Sequence, residues 1–332
     1  MVRTVTKRAA PGAGGVVHAI VGPTAAGKTR ISLELSRRLG AEIISVDSRQ
    51  VYRYLDVGTD KVSPHDRKLV IHHMIDVADP DEVFTAADFV LRARDAIARI
   101  RARGKVPLLA GGSPLYYRAL EGNMLSESLP SDETVRGDLD AASEELGLSF
   151  LHSALAEVDP ASAARIHAND RVRIIRALEI FKLTGRTATE LYAESGKMGA
   201  QCRIEYFGVT SKRAALYDAI ERRASSQFRS GYPEEVRWLL DNGYSRNLPA
   251  LRGFGYRELA DFIHGKISLE DALAGDIKST KAFSRRQMTW FRQFSPIIWY
   301  DVSEMSADIV VDDMERRVRE GVRGSGMEDG SR

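Results

Sequence analysis

Apolar residues gather in five short runs, at 16–21, 42–46, 106–110, 204–210 and 296–300, each closed by glycine, proline or charged positions. Runs of this length with β-branched content read as buried strands. Between them the apolar positions return every three or four residues. Ile31, Leu33, Leu35 and Leu39 set against Arg30, Glu34, Arg37 and Arg38, for instance, predict a helix with one apolar side. Strand–helix–strand alternation predicts an α/β fold, a parallel sheet covered by helices on both faces, with ligands collecting at the carboxyl ends of the strands. From about 125 to 199 no strand pattern occurs, only short helical stretches broken at Pro130, Pro160, Asn169 and Gly185. A helical insertion domain is expected there. From 211 to 294 successive helices are expected, with breaks near Gly231, Gly243 and Gly253, giving a helical C-terminal part. The pattern divides the chain into a tail at 1–15, a catalytic core at 16–124 and 200–302, the insertion at 125–199 and a polar tail at 303–332 that is expected to be disordered at its end.

Composition narrows the class. A chain of 332 residues has room for one large α/β domain and a smaller one. The first 15 residues are basic and small, with no apolar signal core, and no later run is long enough to cross a membrane, so a soluble cytoplasmic protein is expected. A single cysteine, Cys202, excludes a disulfide framework and a cysteine-rich zinc module. The net charge is only +2, yet positive residues are bunched. The bunch from Arg92 to Lys105 reads as a solvated helix face. Two others, Arg171, Arg173 and Arg176, then Lys281, Arg285, Arg286 and Arg292, differ. In the last, Phe283, Gln287, Trp290 and Phe291 sit among the charges, as on nucleic-acid surfaces.

The strongest chemical signal follows the first strand. Gly22, Pro23, Thr24, Ala25, Ala26, Gly27, Lys28 and Thr29 fill the pattern G-x-x-x-x-G-K-[ST] between a strand and a helix. Such a P-loop turns successive backbone N–H groups toward one anion, the helix N-terminus adds partial positive charge and Lys28 adds a full one. It is expected to bind a di- or triphosphate, with Thr29 as a ligand of the accompanying Mg²⁺. The second strand ends in Asp47, which suits either a metal ligand or a base that takes a proton from an acceptor. The third strand ends in Gly111, Gly112 and Ser113. Here Ser113 suits a phosphate contact or a helix cap, and no second carboxylate of the kind found in phosphate-splitting ATPases is present. Adjacent His72 and His73 point to opposite sides of an extended segment and make a poor metal pair.

Taken in order, the loop at 22–29, Asp47-Ser48-Arg49-Gln50, Asp56-Val57-Gly58-Thr59, His72-His73-Met74-Ile75-Asp76 and Gly111-Gly112-Ser113 resemble the tRNA dimethylallyltransferase family in its bacterial form. So do Asn169-Asp170 leading to Arg176-Ala177-Leu178-Glu179, Gly255-Tyr256-Arg257-Glu258, and the stretch 280–290. The resemblance runs from about residue 17 to residue 300. It departs from the family pattern at Ala26, Ile71 and Pro114, where Ser, Pro and Gly are usual, and at Lys281, Phe283, Ser284 and Arg285.

The resemblance implies transfer of a dimethylallyl group from dimethylallyl diphosphate to the exocyclic amine of the adenosine 3′ of the anticodon, in tRNAs reading codons that begin with U. The phosphate loop then holds a departing diphosphate, with Lys28, Arg223, Ser113 and Mg²⁺ on Thr29 serving it, and Asp47 takes the amine proton. The acceptor base is expected to flip out of the anticodon loop. The RNA contacts that the resemblance implies are Asp47, Ser48, Arg49, Gln50, Ser113 and Arg136, then Val172, Arg173, Ile174, Ile175 and Arg176 in the insertion. Arg252, Gly253, Phe254, Gly255, Tyr256 and Arg257 follow, with Lys281, Arg285, Arg286 and Gln287. Partners are the anticodon stem-loop and the prenyl diphosphate, with no membrane, and a monomer is expected. Alternatives are an adenylate isopentenyltransferase for free nucleotides, a P-loop kinase of small molecules and a non-catalytic RNA-binding protein.

Overall fold

The structure is a computed structural model that describes residues 15–122, 129–197 and 202–325. The expected N-terminal tail up to residue 14, the expected domain boundaries near 124 and 199, and the last residues of the C-terminal tail lie outside them. The chain divides into two compact units, Met1–Leu120 with Cys202–Arg332, and Glu121–Gln201.

The first unit begins with β1 (Val17–Val21), α1 (Lys28–Leu39), β2 (Glu42–Ser45), α2 (Pro64–Leu69), β3 (His72–His73), α3 (Ala86–Ala102), β4 (Pro107–Gly111) and α4 (Pro114–Leu120). The second holds α5 (Glu133–Glu145), α6 (Leu148–Val158), α7 (Pro160–Arg165), α8 (Arg171–Thr184) and α9 (Ala188–Lys197). The first then resumes with β5 (Ile204–Thr210), α10 (Arg213–Arg229), α11 (Tyr232–Asp241), α12 (Tyr256–Ile263), α13 (Leu269–Phe291), β6 (Ile297–Asp301) and α14 (Ala307–Ser325).

Six parallel strands form one sheet in the order β3-β2-β4-β1-β5-β6. Every residue of β1 and β2 is buried, as helices on both faces of a parallel sheet require. From β1 the chain crosses over β4 to reach β2, returns to β4, and later builds β5 on the other side of β1. The winding direction therefore reverses beside β1, and a crevice opens at the carboxyl ends of β1 and β4, where ligands of such sheets bind.

Two differences from the sequence reading have local causes. The strand β3 is only two residues long and polar, so it lacks any run to detect; its pairing with Ile43 and Ile44 creates it. Its His73 Nε2 meets buried Glu42 at 2.7 Å, and His72 Nδ1 lies 2.8 Å from the Val70 carbonyl, so the two rings serve separate structural bonds. The segment read as a polar tail contains α14. Its Val310, Val311, Met314 and Val318 are buried against Ile31 and Leu35 of α1, and four apolar positions in a charged stretch suffice because they fall on one stripe.

The second unit packs α5, α6 and α8 around Leu139, Leu151, Leu155, Ile174 and Ile180. Fully buried Glu179 accepts from Arg136 Nη2 at 3.1 Å, Arg176 Nη1 at 2.7 Å and the Asp132 N–H at 2.9 Å. Loss of any one donor leaves a buried charge under-paired, which is costly.

Candidate active site

Three strand ends supply the site. After β1 the chain turns at Gly22, whose φ is 144° and where an added Cβ would lie 2.1 Å from the Val209 carbonyl of β5. Only glycine fits so close to a neighbouring strand. The loop ends at Gly27, the N-cap of α1, which supplies no side-chain cap, so the first N–H groups of α1 face the crevice. A far-off residue braces this loop: buried Gln287 of α13 accepts from the Thr24 N–H at 2.9 Å and donates through Nε2 to the Gly112 carbonyl at 2.7 Å. One amide thus ties the end of β1 to the end of β4. A Cβ on Gly112 would lie 2.4 Å from that Nε2, so the turn after β4 is closed to larger residues.

The resulting cavity of about 370 Å³ is lined by Thr24, Ala25, Gly27, Lys28, Thr29, Asp47, Gln50, Asp60, Gly112 and Arg223, among others. Lys28 Nζ donates to the Pro23 carbonyl at 2.7 Å. Burial pushes its ammonium down to about 8, opposed by the Asp47 charge and assisted by Arg223. Arg223 Nη1 lies 3.4 Å from Asp60, and its Nε is buried with no hydrogen-bond partner. An unpartnered buried donor on a cation beside the phosphate loop suits an incoming anion.

Asp47 follows β2 and stands in a tight turn, where its Oδ1 accepts from the Arg49 N–H at 2.8 Å and the Gln50 N–H at 3.3 Å. Among the described residues Oδ2 has no hydrogen-bond partner, which leaves it for a ligand. Ser113 Oγ accepts from the Ser48 N–H at 3.1 Å, so its hydroxyl proton is free to donate elsewhere. Gln50 accepts from Ser45 Oγ at 2.9 Å and donates to the carbonyls of Thr59 and Asp60. Those two residues end a loop that the sequence reading did not explain. Glu235 of α11 accepts from the consecutive N–H groups of Asp56, Val57 and Gly58 at 2.8, 2.6 and 3.1 Å, a backbone nest around a carboxylate. Lys61 Nζ, almost fully buried, holds the same loop through the Tyr52 carbonyl, Asp56 and Asp76, all at 2.6 Å. The wall that carries Asp60 toward Arg223 is thereby fixed.

Several residues expected at RNA are buried or bonded within the fold. Ile174 and Ile175 are buried in the core of the second unit, Arg176 and Arg136 are bonded to Glu179, and within that stretch Val172 (78% exposed) and Arg173 point outward. Gln287 is the brace just described. Tyr256 is fully buried and donates to Glu235 at 2.7 Å, and Gly255 lies in the buried layer beneath. Arg49 donates to the Phe254 carbonyl at 3.2 Å, and its guanidinium lies 4.7 Å from the Phe254 ring and 4.9 Å from the Tyr256 ring, so it fixes the 252–257 stretch. Ser48, Arg252, Arg257, Arg285 and Arg286 are exposed.

Beneath that stretch lies Asp276 of α13, accepting from Thr280 Oγ1 at 3.3 Å. Burial pushes its carboxyl up to about 6, against the pull of Arg49 and with the help of Glu258. A folded value above the unfolded ~3.9 means that stability is greatest at low pH and falls as pH rises through 6. The substitution Asp276→Asn is therefore expected to stabilise the fold by about 1.5 kcal/mol more at pH 8 than at pH 5, measured by urea unfolding at both values.

As to metals, among the described residues no three His, Cys, Asp or Glu side chains form a ready cage. Thr29, Asp47 and Asp60 instead offer hard oxygen donors around one cavity, the set that suits a Mg²⁺ held mainly by substrate phosphates and water.

The sequence profile of the family described as IPP transferase matches residues 50–294. A tRNA dimethylallyltransferase of Heliobacterium modesticaldum is 41% identical over 289 residues, 87% of this chain and 90% of that protein. One from Geobacter metallireducens is 43% identical over 282 residues, 85% of this chain and 91% of that protein. Among solved structures, the full-length tRNA isopentenylpyrophosphate transferase of Bacillus halodurans superposes with a TM-score of 0.70 at 35% identity, over 95% of this chain and 99% of that one. A eukaryotic dimethylallyltransferase acting on tRNA superposes with a TM-score of 0.71 at 25% identity, over 84% of this chain and 70% of that one. With a phosphate loop, a strand-end aspartate and these relatives along most of its length, the chain belongs to the tRNA dimethylallyltransferase family.

Proposed function

We propose that this protein transfers the dimethylallyl group of dimethylallyl diphosphate to the exocyclic amine of the adenosine 3′ of the anticodon in tRNA, working as a cytoplasmic monomer. One observation carries the reading: the phosphate loop, Arg223 and Asp47 line one cavity, while β4 ends in glycines and supplies no carboxylate for splitting a phosphate bond. The reaction breaks the bond between the allylic carbon and the diphosphate oxygen, and the amine nitrogen bonds to that carbon. Charge grows on the departing oxygens. The loop N–H groups, Lys28 and Arg223 face them and stabilise the transition state more than the ground state. Ser113 donates its free hydroxyl proton toward the bridging oxygen. Mg²⁺, held by Thr29 and the phosphates, supplies further charge neutralisation when bound.

An aryl amine does not lose its proton in advance. Once the nitrogen becomes cationic its proton is acidic, and the carboxylate of Asp47 takes it. Gln50, anchored to both Ser45 and the Thr59–Asp60 wall, shapes the space around the flipped base. The exposed candidates for RNA contact are Ser48, Arg252, Arg257, Arg285 and Arg286 in the first unit and, separately, Val172 and Arg173 in the second. The test is to incubate the protein with dimethylallyl diphosphate, Mg²⁺ and unmodified tRNA, digest the RNA, and look for N6-dimethylallyladenosine by mass. A prenylated free adenylate with unmodified tRNA would favour the nucleotide-specific rival instead.

A further inference from the structure

On the outer side of α13, away from Gln287, a groove of about 380 Å³ runs beside α10 and is lined by Ser211, Arg213, Tyr217, Arg285, Thr289 and Arg292 among others. Its centre is a phenol surrounded by cations. Arg213 Nε and Arg285 Nη1 both donate to the Tyr217 hydroxyl, at 3.1 and 2.8 Å, while the Arg213 guanidinium and Lys281 Nζ each lie 5.1 Å from its ring centre. Of these cations, Lys281 alone has a carboxylate among the described residues, Glu221. Arg213, Arg285 and Arg292 have no acidic partner among the described residues, and here, unlike lone unpaired arginines elsewhere, they converge on one groove. Like charges gathered without counter-ions repel one another, and a neutral hydroxyl and an aromatic face hold them at a cost that an anion would relieve. The groove shares α10 and α13 with the catalytic cavity, and Tyr217 stands six residues from Arg223, roughly 9 Å along the helix.

We propose that this α10–α13 groove around Tyr217 binds RNA phosphodiester, taking one or two backbone phosphates of the tRNA close to the reacting nucleotide. The inference rests on the tRNA reading above and extends the RNA surface to Arg213 and Tyr217, which no sequence pattern marked, and to Arg292, marked only as one of a basic bunch. Tyr217 acts as the post that keeps two guanidinium forks parted and aimed. The groove's hydroxyls, Ser211 and Thr289, are suited to hydrogen-bond the same phosphates.

A labelled anticodon stem-loop is titrated by fluorescence anisotropy at several salt concentrations against wild type, Arg213→Ala/Arg292→Ala, Arg213→Lys/Arg292→Lys and Tyr217→Phe. Each phosphate contact adds roughly 0.7–0.9 to the slope of log K against log salt, so the alanine pair is expected to lower the slope by about 1–2 and affinity by about tenfold, with the lysine pair keeping the slope. Tyr217→Phe retains the ring and loses the shared acceptor, and is expected to weaken binding severalfold with an unchanged slope. Inorganic pyrophosphate should bind all four proteins alike, which separates a backbone contact from a second diphosphate site. An alanine pair with wild-type slope and affinity overturns the groove while leaving the tRNA reading intact; a wild-type protein that ignores the stem-loop overturns both.

Discussion

Asp47→Asn is expected to lower turnover on tRNA by roughly 10²–10⁴ while leaving the affinity for the anticodon stem-loop within about twofold. Asparagine keeps the geometry, because its Oδ1 can still accept from the N–H groups of Arg49 and Gln50 that close the turn after β2. What it lacks is basicity. The nitrogen that has just gained an allyl group must shed a proton, and an amide cannot take it. Single-turnover measurements of nucleoside modification, set beside stem-loop binding, separate the two effects. Wild-type turnover in Asp47→Asn would remove the carboxylate as base, and a parallel loss of binding would recast Asp47 as an anchor for RNA.

The second large effect is expected at Lys28. Removing the ammonium in Lys28→Ala takes away the full charge nearest the departing diphosphate, and a loss of about 10²–10³ in turnover is expected, comparable to losing one donor of an oxyanion site. Pyrophosphate affinity should fall with it. The free ammonium is held at about 8 by burial, so wild-type pyrophosphate binding should weaken by up to about tenfold per pH unit above that value, because the lysine must regain its proton to meet the anion. That pH dependence should vanish in Lys28→Ala, which calorimetric titration from pH 7 to 9.5 would reveal. An equal pH dependence in both proteins would assign the titration elsewhere and detach Lys28 from the leaving group.

Local constraints were readable in the sequence and distant ones were not. The phosphate loop is legible because its glycines, lysine and threonine answer to one another within eight positions, between a strand and a helix that each carry their own pattern. The strand Ile204–Thr210 was legible for the same reason, as an apolar run with clear ends. Glu235 and Gln287 were opaque. Glu235 lies in no motif and Gln287 reads as part of a basic RNA face, and only the tertiary fold brings them to the nest at 56–58 and to Thr24. The stretch Val172–Arg176 erred differently: the RNA motif and the core share one helix, and the 3.6-residue period turns Ile174 and Ile175 inward. A motif names a segment, whereas burial decides which of its side chains can reach a ligand.

The position of β1 in the middle of the sheet has a consequence for biosynthesis. The phosphate loop leaves the ribosome well before Val209, which presses on Gly22, and before Gln287, which ties Thr24, and Val318, which seals α1. At 5–20 residues per second, roughly 9–36 s separate the making of the loop from that of Val209, and roughly 15–60 s from that of Val318. A nascent chain therefore displays an unsheltered strand edge throughout that interval, a demand on chaperones, and prematurely terminated products contain the signature motif without its chemistry.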